Sequence, residues 1–223
     1  MKTVRTMRRI IHHRYVVALV ALIAISSLCL AVPRQLNDKM FPMTGRDKWQ
    51  QPARVVADLG LKEGSTIADV GCGSGYFTFR FSHAVGAKGK VFATEINAKG
   101  LKAINDRAKK NKITNIQTIL SDPTRTKLAR HSVDAATVVN VLHHVTKQYR
   151  VPLMKDIAEA IKPGGSLYII EWRMKAGVKH DKHRRIPRAD LVRLAQGAGL
   201  KLDAEFFYLK NQVFLRFNKP AKK

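Results

Sequence analysis

Apolar residues recur along this chain in two registers, and the switching between them predicts its architecture. Short, nearly continuous apolar runs read as buried strands: "TIADV" at 66–70, "KVFATEI" at 90–96, "NIQTIL" at 115–120, "VDAATVVNV" at 133–141 and "SLYIIEW" at 166–172. Between them, apolar residues fall at three- and four-residue spacing over 53–61, 76–85, 98–112, 150–162 and 188–200, which predicts helices. Pro163-Gly164-Gly165 predicts the stop of the fourth of these, and Gly199 the end of the fifth. The final stretch, "AEFFYLKNQVFLRF" at 204–217, predicts two strands joined around Lys210-Asn211. Strands alternating with helices imply parallel pairing covered on both faces, here closed by an antiparallel hairpin. The expected class is α/β, with the folded domain over 53–218 and a basic tail at 219–223.

The first 52 residues do not follow this pattern. Residues 1–14 form a basic flank, with Lys2, Arg5, Arg8, Arg9 and Arg14, and no Asp or Glu occurs before position 38. An apolar run follows at 15–32, "YVVALVALIAISSLCLAV", stopped by Pro33. As a helix it would rise about 27 Å, close to the thickness of a bilayer core. It is expected to be an N-terminal apolar helix, either an uncleaved transmembrane anchor or a signal segment, with Cys29 and Ala31 at the −3 and −1 places of a cleavage site. Residues 33–52 read as a linker or as a cap over an active site, with Phe41, Met43 and Trp49 as apolar anchors among polar neighbours.

Charge changes the list of partners more than it changes the fold. The 223 residues carry 41 Lys and Arg against 16 Asp and Glu, a formal charge of +25. Such a balance favours anionic partners, either nucleic acid or an acidic membrane surface. The densest positive run is Arg173 to Arg193. It suits RNA phosphates, anionic lipid or a merely solvated face. The two cysteines, Cys29 and Cys72, sit in no CxxC or zinc-type spacing. His180 and His183 have no third ligand nearby in sequence, so no metal site is expected.

The chemistry begins at "IADVGCGSGYF", 67–77, where a buried strand runs into a loop with glycines at 71, 73 and 75. A dinucleotide loop needs G-x-G-x-x-G; here the third glycine comes one place early and Tyr76 takes its position. No Lys-Ser/Thr pair follows, which excludes a phosphate-gripping P-loop. Glu95, at the end of the second strand, can accept two hydrogen bonds from ribose hydroxyls. Asp122, after the third strand, is placed to reach an adenine amino group, and Asp69 to engage a ligand ammonium. The implied ligand has adenine, ribose and an amino acid, but no phosphate.

"DVGCGSG", Glu95, the "SDP" loop at Asp122, "DAATVVNVLHHV" and "IKPGGSLYIIEW" together resemble class I S-adenosylmethionine (SAM) dependent methyltransferases, over about residues 50–218. The resemblance implies a Rossmann-like, seven-stranded, mostly parallel sheet with a reversed C-terminal strand. It implies SAM as cofactor, held by Asp69, Gly71, Cys72, Gly73, Gly75, Glu95, Ile96, Asp122 and Asn140. It also implies in-line transfer of a methyl group to an acceptor lying near the end of the fourth strand. There the chain reads Asn140-Val141-Leu142-His143-His144. His144, and after it His143, are the candidates for acceptor contact or general base. Adjacent side chains seldom face the same way, so at most one of the two is expected to line the site. Tyr76 and Tyr149 are further candidates for the pocket border.

Missing motifs narrow the acceptor. The chain lacks the [N/D/S]-P-P-[Y/F] element of adenine amino methyltransferases, a nucleophilic Cys of the cytosine C5 type and a ribose-type Lys-Asp-Lys-Glu set. The expected acceptor is small or lipophilic, of quinone-like or lipid kind, with nucleic acid resting on charge alone and a non-catalytic SAM-binding protein as the third alternative. Membrane association is expected through residues 15–32, with export after cleavage as the alternative. The positive charge before the apolar run favours an inside N-terminus, which would put the domain on the side away from cytosolic SAM. Arg34, Lys39 and Arg46 after the run weaken that bias.

Overall fold

The computed structural model describes residues 45–177 and 182–221. The flank at 1–14, the apolar run at 15–32, Phe41, Met43, Lys179 and His180 lie outside the described residues. Seven strands form one sheet: β1 (Thr66–Val70), β2 (Lys90–Glu95), β3 (Ile116–Leu120), β4 (Val133–Val139), β5 (Ile161–Trp172), β6 (Lys201–Phe206) and β7 (Gln212–Asn218). Their order is β3-β2-β1-β4-β5-β7-β6. Pairing is parallel from β3 through β5, while β7 runs antiparallel to both β5 and β6. The reversed strand is thus interior and β6 forms the edge. The closing hairpin adds the expected antiparallel edge, with β6 outermost and β7, buried over most of its length, between β6 and β5.

Helices cover both faces. On one side lie α1 (Gly45–Gln50), α2 (Pro52–Asp58), α3 (Thr78–Val85) and α4 (Ala98–Lys110); on the other lie α5 (Lys147–Ala160) and α6 (Arg188–Gln196). The two-residue period of the strands feeds both cores. Ala68, Val70, Leu167 and Ile169 pack with Met154, Ile157 and Leu191. Their sequence neighbours Ile67, Tyr168 and Ile170 pack with Val55, Phe77 and Phe81 on the opposite face.

Element ends differ from the sequence pattern for local reasons. β4 stops at Val139 because Asn140 adopts a left-handed backbone, φ 58°. α4 stops at Lys110, with Lys112 at φ 54°. The fourth expected helix ends at Ala160, ahead of Pro163-Gly164-Gly165, and those three residues lie inside the irregular start of β5. There the β4–β5 register shifts between Val133 and Ala135, a bulge that accommodates the proline's missing N–H. Residues 45–50, expected as linker or cap, are helical, and α1 docks through Gln50, fully buried, and Trp49, whose ring lies 5.1 Å from that of Trp172.

Candidate active site

The strand order reverses between β1 and β4, and open α/β sheets bind ligands beyond the strand ends at such a point. A cleft of about 670 Å³ opens there. Its floor is the loop after β1, and its rims are the ends of β2 and β3 on one side and the segment after β4 on the other. Asp69, Gly71, Cys72, Gly73, Glu95, Ile96, Asp122 and Asn140 all line it, as do Tyr76, His144 and Tyr149. Gly75 lies just behind the lining, where its N–H donates to Cys72 O and closes the turn.

The loop after β1 requires glycine for two different reasons. At Gly71, φ is +69° and an added Cβ would stand 2.5 Å from Val141 Cγ2, so the β1 and β4 ends could not approach this closely with any other residue. At Gly73 an added Cβ would meet nothing within 4 Å, so bare backbone faces open cleft. Glu95 fastens this loop from the neighbouring strand. Its Oε2 accepts from Gly73 N–H at 2.9 Å, and its Oε1 from Ile96 and Asn97 N–H at 2.8 and 3.0 Å. A carboxylate has about four acceptor sites, so with three filled one remains, for a single ribose hydroxyl. Asp122 is half exposed at the far rim, 3.2 Å from Lys127 Nζ.

Asp69 is the buried charge of the floor. Its Oδ2 accepts from Thr78 Oγ1 at 2.6 Å and its Oδ1 from Thr137 Oγ1 at 3.4 Å. Burial pushes its pKa up to about 6, partly offset by those two hydroxyls and by the Arg46 guanidinium. A cation in the cleft would be favoured by this carboxylate. Cys72, beside it, is also buried, and burial with Asp69 and Glu95 nearby pushes its thiol far up, so it remains a small neutral side chain.

Two networks missed by the sequence reading hold the rest. The first fixes the segment after β4. Glu171, on β5, accepts Val141 and Leu142 N–H through Oε1 at 2.9 and 2.7 Å, and its Oε2 lies 2.6 Å from His143 Nδ1. His143 is therefore a core residue, 2% exposed, and it does not line the cleft. This corrects its place among the candidate catalytic groups. Packing and the Glu171 carboxylate turn its ring inward, and His144 is left facing the cleft. Arg184 Nη1, from the basic segment, stands 3.5 Å from His144 Nδ1. A glutamate inside the otherwise apolar run "SLYIIEW" was the available signal for this arrangement.

The second network seats α1. Gln212 Nε2 donates to Asn140 Oδ1, Gln50 Nε2 to Gln212 Oε1 at 2.6 Å, and Asn140 Nδ2 to Gln50 Oε1 at 3.4 Å, closing a ring of three amides. Asn140 is thereby engaged with protein groups at the end of β4 while still bordering the cleft. Beside the ring, Arg46 stacks 3.9 Å over the Tyr76 ring and borders the cleft. Burial lowers its pKa from the ordinary value, with Tyr76 and Asp69 acting the other way. Behind it, the Tyr76 hydroxyl donates to Asp47, and Asp47 pairs with buried Arg80 at 3.1 Å. The polar stretch around Trp49 thus contributes a cleft cation that apolar patterning could not single out. Among the described residues no cluster of metal-ligating side chains occurs.

Comparison with known proteins agrees with this geometry. Residues 67–165 match the family model described as a methyltransferase domain. The ubiquinone/menaquinone biosynthesis C-methyltransferase UbiE of Pseudomonas fluorescens is 28% identical over 114 residues, 51% of this chain and 44% of that protein. The protein of the same name from Shewanella woodyi is 27% identical over 164 residues, 71% of this chain and 62% of its own. The match thus spans less than two thirds of these relatives' length. Among solved structures, a SAM dependent methyltransferase from Aquifex aeolicus has a TM-score of 0.73 at 21% identity, covering 81% of this chain and 96% of that one. At that identity the likeness is one of fold. The matched segment, which holds the glycine loop, Glu95 and Asp122 around one cleft, is thus similar to a methyltransferase domain, and the fold is shared with a SAM dependent methyltransferase.

Proposed function

We propose that this domain transfers a methyl group from SAM, by in-line displacement, to a small lipophilic acceptor of quinone-like kind. The observation that carries the reading is the division of one cleft. One side offers bare backbone, Glu95 and Asp122; the other offers Val141, Val145, Tyr149 and Leu153 around His144. The first side suits a ribose and an adenine, and the second a mostly apolar acceptor. The printed names of the relatives, quinone-biosynthesis C-methyltransferases, support the same acceptor class.

Each residue then has a task. Glu95 accepts from a ribose hydroxyl while holding Gly73. Asp122 faces the adenine edge. Arg46 meets the carboxylate of the methionine part and Asp69 its ammonium. SAM brings a sulfonium-bound methyl that is already electrophilic. The methyl–sulfur bond breaks as the methyl–acceptor bond forms, and the electron pair returns to sulfur. If the acceptor atom carries a proton, it passes to a base, and His144 is the imidazole at that end. Apolar Val141 and Val145 keep the line of attack dry, and positioning supplies much of the rate.

The reading includes a membrane tether through residues 15–32, with the domain on the side that contains SAM. It rests on the length and apolarity of that run. Among the described residues no helix is long and apolar enough to cross a membrane.

The test is incubation of the full chain with methyl-labelled SAM and fractionated lipid and small-molecule extracts. Label is expected in a lipid-soluble product, and lost in the His144→Ala variant while SAM binding persists. An enzyme that binds SAM yet labels no fraction would overturn the proposal.

A further inference from the structure

Large apolar side chains left in solvent are unevenly distributed over this domain. Among the described residues they are Ile96, Leu120, Tyr149, Val151, Met174, Leu202 and Phe207. Five of them, Ile96, Leu120, Tyr149, Met174 and Phe207, lie at the C-terminal ends of the parallel strands or on the segments that follow, the same edge as the cleft mouth. Leu202 is at the opposite edge, where β6 begins. Single exposed apolar residues need no explanation, but a set gathered on one edge does. Ile96 and Tyr149 border the cleft. Met174 and Phe207 do not; they stand beyond it, on the β5–β7–β6 half, where cofactor binding cannot account for them.

Both are exposed, and the segment that carries Met174 is held by built contacts. Met174 is 52% and Phe207 73% exposed. The loop after β5 is stitched to the β6–β7 turn by Arg173 N–H to Asn211 O at 2.9 Å and Gly177 N–H to Asn211 Oδ1 at 3.3 Å. Buried Arg185 donates to Met174 O and Ala176 O at 3.1 and 3.2 Å. Burying Met174 would require breaking this frame. The same loops carry Arg173, Lys175, Lys182 and Lys210, none of which makes an ion pair among the described residues. The segment 173–188 carries seven Lys and Arg against a single acid, Asp181. Apolar side chains projecting from a basic rim are the chemistry of an interfacial membrane contact. The cations attract anionic headgroups at about 1 kcal/mol each near the surface, and the apolar groups enter the acyl boundary.

We propose that this edge docks the domain onto an anionic bilayer surface, with Met174 and Phe207 inserting and Arg173, Lys175, Lys182 and Lys210 on the headgroups, so that the cleft mouth faces the lipid. The docking would deliver a lipophilic acceptor to the side of the cleft that holds His144, and in that respect it rests on the proposed acceptor class. It is distinct from the tether. An anchor alone fixes the chain to a membrane without orienting the cleft, and only residues 33–44 separate the apolar run from α1.

Because the apolar run could bind vesicles by itself, the experiment reads which edge of the domain touches lipid. The full chain is reconstituted with vesicles of phosphatidylcholine alone or of phosphatidylcholine with phosphatidylglycerol, each with and without brominated acyl chains. A reporter tryptophan is placed by Phe207→Trp on one variant and by Leu202→Trp on another. Added quenching is expected for Phe207→Trp in the anionic vesicles only, with none for Leu202→Trp. Lys175→Glu combined with Lys210→Glu should abolish it. No quenching at position 207, equal quenching at both positions, or quenching indifferent to lipid charge would overturn the docking. So would protection of this edge by RNA in preference to anionic vesicles. SAM binding is titrated on the same samples. Binding that persists without quenching removes the docking alone, whereas absent SAM binding in the unmodified chain removes the proposed function.

Discussion

Asp69 and Asp134 stand on neighbouring strands at opposite ends of the sheet, and the fold treats them in opposite ways. Asp134, near the start of β4, accepts from Thr66 N–H at 2.8 Å and from Lys162 Nζ at 2.7 Å. Burial works against its charge, but the Lys162 contact and the Thr66 N–H outweigh that, and its pKa is lowered. Asp69, near the end of β1, is almost fully buried; two hydroxyls and the Arg46 guanidinium offset this only in part, and burial raises it to about 6. One end of the sheet neutralises its charge with a partner of its own. The other leaves a charge poorly compensated beside a cleft. Perturbed groups gather where ligands bind, because a ligand can supply what the fold withholds.

The sharpest way to break this comparison is to remove the ligand end outright. Gly73→Arg should fill the open cleft and bring SAM binding below detection by calorimetry, with only the modest fall in unfolding temperature that a side chain at φ +56° brings. Gly71→Ala should do both kinds of damage, because its Cβ would collide with Val141 at a left-handed backbone position. Glu95→Ala removes a charged acceptor, and SAM affinity should fall by roughly ten- to a hundredfold. Unchanged binding in Gly73→Arg would show that the cleft is not the cofactor site.

The second test concerns the support of that end. Glu171 satisfies two backbone N–H groups and His143 from within the core. Glu171→Ala leaves all three without this acceptor, and breaking such a buried pair costs about 3–5 kcal/mol. Thermal unfolding should show the loss directly. The milder Glu171→Gln should retain part of the stability but misplace His144, lowering kcat more than SAM affinity.

The Asp69 carboxylate itself gives a pH signature with two signs. Its folded pKa lies above the unfolded value of 3.8, so the native state holds the extra proton. The contribution of this group to stability should therefore be greatest below that value and decline as pH rises to about 6, by up to about 3 kcal/mol. SAM affinity should move the other way, strengthening as the carboxylate ionises. Asp69→Asn should flatten both profiles, raising stability at neutral pH while weakening SAM. A binding profile unchanged by this substitution would detach Asp69 from the ligand.

What could be read in advance divides along the same line. The strands and helices were legible because both faces of the sheet are covered, so Ile67 and Ala68 are both apolar and each finds its own core. The floor and nucleotide side of the cleft were legible because they sit on one contiguous loop and two strand ends. Glu171, the Gln50–Gln212–Asn140 ring and Arg46 were not, because each acts across strands or from a helix distant in sequence. The inner place of β7 was also hidden, since a hairpin pattern does not say which of its strands meets the sheet. At His143-His144 the adjacency predicted one inward and one outward ring; only the position of Glu171 on the next strand decides which.

The smallest effect is expected at the other end of the sheet, and it tests whether that end is purely structural. Lys162 and Asp134 are each about two-fifths exposed, 43% and 44% in their side chains. Water and salt screen such a pair, so Lys162→Met should cost no more than about 1 kcal/mol, and less in high salt. Asp134 has a lowered folded pKa, so its contribution is present above the unfolded value and lost as pH falls through the folded one. The stability difference between wild type and Lys162→Met should stay flat from pH 7 to about 4 and shrink below. SAM affinity should be untouched throughout. If Lys162→Met altered cofactor affinity, the two ends would be coupled through β1 and β4, whose starts are joined by the Thr66–Asp134 bond. The contrast between a self-sufficient end and a ligand-completed end would then have to be given up.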